Sequence, residues 1–319
     1  LLSLVQNGSS LAQEHAARTI WYLSTSIDNQ HTLVMHTTIV DLVTLVKSGS
    51  HVAQEMAAAG LSELASGYII ERKSILDGLP APSLSTSAPS PAIPAMTTPE
   101  NEHSSLMQAA TQTERDASPL RAATDAEEAG VDAPAGGSSG VPSTTALIAA
   151  AMGEPDRLLA ISEAGGIPPL VKLSEVGSPG GREMATSALW HLALDSENQA
   201  SIAANGGIKP IVTLLAEGND AALEHASNAL KRLATDNPEN QAQIAKRLVG
   251  LLDHDDHMVV SRAAHDLQAL AHDHPGAPVV IVNAGAISPL VTVLSNGKTD
   301  EGRNEAAKTL QTLANSGPA

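Results

Sequence analysis

Histidines and carboxylates crowd into residues 251–276, LLDHDDHMVVSRAAHDLQALAHDHPG, where the residue types suggest metal chemistry. His254, His257, His265, His272 and His274 stand there among Asp253, Asp255, Asp256 and Asp273. A metal ion needs ligands that converge on one point. His254 and His272 lie at opposite ends of one predicted helix, about 25 Å apart at the helical rise per residue. Only His254 with His257, or His272 with His274, could act together, and these read as solvated loop residues. Ser295-Asn296-Gly297-Lys298-Thr299 carries the GKT of a phosphate loop. The leading glycine of such a loop would fall at Thr292, and no strand pattern precedes it, so the segment reads as a turn between helices. Asn7-Gly8-Ser9 matches a glycosylation sequon and reads as another such turn. Serines fall in turns, and no carboxylate pair sits in a predictable cleft. The expectation is a protein without catalytic residues, metal or cofactor.

Composition narrows what positions these residues. Four aromatic residues, Trp21, Tyr22, Tyr68 and Trp190, serve 319 positions, and there is no Phe. A core of Leu, Ile, Val and Ala suits closely packed helices better than a sheet sandwich, where aromatic and β-branched residues are favoured. The net charge of −17 repels phosphate backbones, so nucleic acid is not expected as a partner. Zero Cys removes disulfides, thiolate metal sites and thiol catalysis. No apolar run reads as a transmembrane segment or a signal peptide. The opening LLSLVQNGSS reads as the inside of a helix, so the chain is taken as a fragment, with targeting or membrane-anchoring signals left to a missing terminus.

A repeat organises the chain. The string SENQASIAANGGIKPIVTLL at residues 196–215 recurs as GEPDRLLAISEAGGIPPLVKL at 153–173 and as GAPVVIVNAGAISPLVTVL at 276–294. Leu1, Leu42, Leu170, Ile211, Leu248 and Leu290 are equivalent, as are Leu23, Leu64, Leu192, Leu233, Leu270 and Leu313. A period near 40 without a strand pattern points to helical repeats. Each unit reads as a short helix stopped by Gly-Gly, where glycine can take the left-handed C-cap conformation. A second helix follows, with Pro169, Pro210 or Pro289 in its first turn, where the missing N–H costs little. Ile208, Ile211, Val212 and Leu215 form its apolar stripe. The third and longest helix carries Ala226, Leu230 and Leu233, with small Ala229 alongside. One such unit cannot cover its own apolar face and must stack on a copy. After Ile244 the chain runs AKRLVGLL with the Gly-Gly corner deleted, so the first two helices are predicted to merge or meet in a tight bend, with a kink at Ala245–Leu248.

The pattern NQ–x–I–x–x–x–GG–I–x–P–φ–V–x–LL, followed by A–x–x–x–L–x–x–LA, resembles the armadillo repeat of β-catenin, importin-α and vacuolar adaptor proteins. That resemblance implies an all-α solenoid of three-helix units forming a right-handed superhelix. Residues 1–79 would hold about two repeats, and 144–319 half a unit plus about four. Between them, 80–143 is rich in Pro, Ser, Ala and Gly and is expected to be mostly disordered, apart from a short helix from Thr98 to about Arg115. It carries eight acidic and two basic residues. Its Ser90-Pro91, Thr98-Pro99 and Ser118-Pro119 suit phosphorylation; an inert insertion and a gene-model artefact are the competing readings.

In a stacked solenoid the third helices line one surface, roughly 10 Å apart. Residues four apart share one flank of each helix, which pairs Trp21 with Thr25, Ser62 with Ser66, Trp190 with Leu194, Lys231 with Thr235, Gln268 with His272 and Gln311 with Asn315. In importin-α the equivalent pairs are mostly Trp and Asn; here only Trp21, Trp190 and Asn315 correspond. Packing between repeats is the competing role for both tryptophans. The resemblance implies a non-enzymatic, intracellular scaffold, cytoplasmic or nuclear, that binds a peptide segment of another protein. The alternatives are a nuclear import adaptor and the recognition arm of a larger enzyme such as a U-box ubiquitin ligase.

Overall fold

A computed structural model describes residues 1–34, 38–76 and 156–316, with side chains undescribed at 31 and 68–76. The expected insertion at 80–143, its Ser-Pro and Thr-Pro pairs, the helix from Thr98 and the half unit from Thr144 all lie outside the described residues. Among the described residues there are sixteen α-helices and no strand. They are α1 Leu2–Asn7, α2 Ser10–Ser24, α3 Ile27–Val34, α4 Thr38–Ser48, α5 His51–Leu76, α6 Arg157–Glu163, α7 Ile167–Val176 and α8 Pro179–Leu192. The order continues with α9 Ser196–Ala204, α10 Ile208–Glu217, α11 Asp220–Ala234, α12 Pro238–Leu251, α13 His257–Asp273, α14 Ala277–Asn283, α15 Ile287–Asn296 and α16 Asp300–Asn315.

The helix ends follow from local chemistry. Side-chain acceptors sit at N-caps: Asp195 takes the N–H groups of Glu197 and Asn198 at 2.9 and 3.0 Å, and Asn219 takes that of Ala222 at 2.8 Å. The corners between first and second helices turn on Gly165, Gly206 and Gly285, with φ of 74°, 80° and 83°. At the first two corners a second glycine, Gly166 or Gly207, follows for want of space, whereas Ala286 follows Gly285. A Cβ on Gly207 would stand 2.7 Å from the Ile202 Cγ2.

The Asn-Gln pair of the short helix has a structural task. Gln199 donates its side-chain amide to the Ala193 carbonyl at 3.0 Å, and Gln241 donates to that of Ala234 at 2.8 Å. Asn240 donates to that of Leu233 at 2.9 Å. Each amide thereby satisfies a carbonyl at the end of the preceding third helix, a group that the helix leaves without an internal partner.

Stacking buries the aliphatic stripes. Third helices α2, α5, α8 and α11 pack one on the next, as do α13 and α16. The units on either side of 77–155 are in contact: Ser178 donates to Glu55 at 3.0 Å, the Ser62 and Ser187 hydroxyls share a proton at 2.8 Å, and buried Arg157 donates to Gln30 at 2.8 Å. Covering by a neighbour decides burial at equivalent positions. Ile208 in α10 is 1 % exposed, whereas Ile287 at the same register of α15 is 42 % exposed. Leu23, equivalent to Leu192, is likewise 36 % exposed in the first unit against 0 %.

One junction differs. With no glycine able to turn the chain at 245–248, the i→i−4 ladder runs unbroken through α12, so the first two helices of that unit merge. The third helices on its two sides, α11 and α13, then touch only lightly.

Candidate functional site

The row of third helices sorts the twelve expected site residues into two sets. Thr25, Leu194, Lys231, Thr235, His272, Gln311 and Asn315 are exposed, and Ser66 and Gln268 are half-buried. Trp21, Ser62 and Trp190 lie inside, with Trp21 4 % and Trp190 9 % exposed. Burial of both tryptophans matches the packing role weighed against a groove role. Trp21 stacks on Tyr22 at 5.0 Å. The Trp190 ring lies against His191 at 4.5 Å and His225 at 5.8 Å, and the Arg232 guanidinium sits over it at 4.8 Å while donating to the Trp190 carbonyl at 3.2 Å. The ring's cation-binding face is therefore occupied from within.

The electrostatics of this cluster follow from dryness. Burial pushes His191 well below the ordinary histidine range, and Arg232 adds to the effect. Burial lowers His225 to about 4. Both imidazoles are neutral at pH 7, which leaves Arg232 as the cation beside the ring. His191 Nδ1 lies 3.3 Å from the Ser62 hydroxyl, tying the cluster to α5.

A second feature lies at the irregular junction. Where α11 and α13 stand apart over α12, a cavity of about 30 Å³ is walled by Leu230, Ile244, Leu248 and Leu270. Asp266 and Ser227 line it too, with the Ser227 hydroxyl donating to the Asp266 carboxylate at 3.3 Å. Burial raises the Asp266 pKa to about 6, against the smaller opposing pull of His265, Ser227 and Arg262. Lys231 and Asp273, an ion pair at 2.7 Å, line the same cavity. His274 completes the lining, and its Nε2 is buried without a hydrogen-bond partner. Sequence reasoning placed Lys231 on the row but missed the cavity. Its signal was the deleted corner, read at the level of the chain's path and not of the space left behind.

The remaining motifs resolve into local structure. Among the described residues no three His, Asp or Glu side chains are grouped to hold a metal ion. His254 Nδ1 accepts from the Asp256 backbone N–H at 3.0 Å. In the GKT segment Thr299 caps α16, its hydroxyl accepting from the Gly302 N–H at 3.1 Å. Ser9 of the sequon caps α2 through the Ala12 N–H at 3.3 Å. No single helix among the described residues is long and apolar enough to cross a membrane.

Comparison with known proteins accords with this geometry. Residues 155–194 match the family described as the Armadillo/beta-catenin-like repeat. No curated protein is recognisably similar in sequence. Among solved structures, an engineered protein superposes with a TM-score of 0.56 at 21% identity, covering 99% of this chain and 96% of that chain. A designed armadillo repeat protein in complex with the peptide (KR)4 gives 0.56 at 16% identity, over 98% of this chain and 97% of that one. A chain from a structure on the phosphorylation switch between cadherin and beta-catenin gives 0.50 at 12% identity, over 99% of this chain but 45% of the other. The chain thus carries an armadillo repeat over residues 155–194 and has the fold of armadillo solenoids.

Proposed function

We propose that this protein is a non-enzymatic scaffold that holds an extended or helical segment of another polypeptide along its row of third helices. One observation carries the reading: at four of the six third helices the flanking positions present a set of accessible hydroxyls, amides and one aliphatic. Thr25, Leu194, Thr235, Gln311 and Asn315 belong to it. Such groups can pair with the backbone of an extended peptide, and Leu194 offers an apolar contact. Arg232 over Trp190 weighs against stacking of basic side chains on that ring, as a nuclear import adaptor would need.

The test is selection of peptides from a random display library on the full chain, followed by affinity measurement. Leu194→Glu combined with Thr235→Arg is expected to weaken the selected peptides at least tenfold, about 1.4 kcal/mol. Val279→Arg, at an exposed position of α14 outside the row, should leave them unchanged. Loss of binding on Val279→Arg, with the double variant unaffected, would overturn the proposal.

A further inference from the structure

We infer that the aliphatic face of α14 and α15 is a docking surface for a second copy of this chain, the two copies pairing through the same face about a two-fold axis. The inference is independent of the row, which runs along third helices, whereas this face belongs to a first and a second one.

Sequence and exposure set the face apart. Residues 277–296 hold no charged residue in a chain of net charge −17, whereas α6 with α7 carries four and α9 with α10 three. On α15, Ile287, Val291 and Leu294 are exposed at i, i+4 and i+7, forming one stripe. The equivalent stripe is closed in earlier units: Val171 is 7 % exposed against 46 % for Val291. The corner of the following unit closes it there. A Cβ on Gly207 would stand 3.1 Å from the Val171 Cγ2, and one on Gly166 3.3 Å from the Val43 Cγ2. The α15 stripe therefore has the chemistry of an inter-unit seam, with no described helix over it. Helix α14 meets α15 at an 85° bend and adds exposed Val279 and Val282, three apart on one flank. At both of these positions α9 carries alanine, Ala200 and Ala203.

An array stays in solution by presenting a polar face wherever its stacking stops. Among the described residues stacking stops here at an aliphatic face, and the charge pattern selects what covers it. Two copies at −17 each repel one another, least where the touching surface is uncharged. A two-fold axis sets α14 and α15 against their own images, so uncharged residues meet uncharged residues. The turns of a second copy, with Asp236, Asp253 and Asp255 exposed, would instead press carboxylates onto valines and desolvate them. Five aliphatic side chains are far fewer than the roughly twenty residues of a standard interface, so the dimer is weak, at about 10–100 μM. Screening of the like net charges strengthens it as salt rises.

The test is sedimentation equilibrium of the full chain, across that concentration range, at low and high salt. The expected result is a reversible equilibrium that stops at twice the 32.7 kDa of the monomer and tightens with salt. Val291→Asp and Val282→Asp, each placing a carboxylate in the uncharged face, should each raise the dissociation constant at least tenfold. Leu159→Asp, at an exposed aliphatic position of α6, should leave it unchanged. A melting transition as cooperative as that of the unaltered chain verifies the fold of each variant. A monomer throughout, growth past the dimer, weakening by salt, or a dimer that survives either Asp substitution would overturn the inference. So would flotation of the unaltered chain with neutral phosphatidylcholine vesicles, which would make the occupant a lipid surface.

Discussion

At the scale of single residues, a buried histidine and a half-buried aspartate set opposing responses to pH. His225 is held at about 4 against an ordinary 6.5, so the folded state disfavours its charged form. Its contribution is complete above about 6.5 and is lost as pH falls toward 4, by up to about 3 kcal/mol. His191 acts in the same direction. Asp266 is raised from 3.8 to about 6, so its protonated form is favoured in the fold, and stability falls as pH rises through that window. Asp266→Asn is therefore expected to stabilise the protein by about 2–3 kcal/mol at pH 7.5 and to leave it unchanged at pH 4. Its melting temperature should consequently drop more steeply on acidification than that of the unaltered chain. Thermal melts at the two pH values check this; a destabilised Asp266→Asn at pH 7.5 would mean the carboxylate is already compensated in the fold.

At the scale of elements, the glycine corners and proline starts were legible because each is a local demand on backbone geometry, visible in residue type alone. Gly206, at φ 80° with open space around its Cα, isolates the conformational demand from steric crowding. Gly206→Ala should cost about 1 kcal/mol, measured by denaturant unfolding. Gly207→Ala should cost more, because its Cβ would press on Ile202. The Asn-Gln motif was equally visible, but its purpose was not. Pairing Gln199 with the Ala193 carbonyl depends on how the short helix lies across the end of its predecessor, and spacing does not state that. Which of the two roles weighed for the tryptophans applies was hidden for a related reason. Trp190 occupies a row position by count, yet Arg232, forty-two residues later, covers its ring.

At the scale of the whole molecule, the stripe periodicity revealed the repeat because every interior unit buries the same register against the next. Periodicity cannot report which copies have a neighbour. Ile208 and Ile287 share a register and differ in exposure only through what lies over them. The deleted corner after Ile244 was the one irregularity that spacing exposed, and both the merged helix and the adjoining cavity follow from it.

That irregularity has a mechanical consequence. A stacked rod transmits tension through its joints, and the joint that interlocks least yields first. Stretched between its ends in an optical trap, the protein should extend in more than one step, with the first rupture dividing residues up to α11 from those beginning at α13. Restoring a Gly-Gly-Ile-x-Pro corner between Ile244 and Leu248 should raise the force of that first step; a single all-or-none extension in the unaltered chain would show the joint to be as strong as its neighbours.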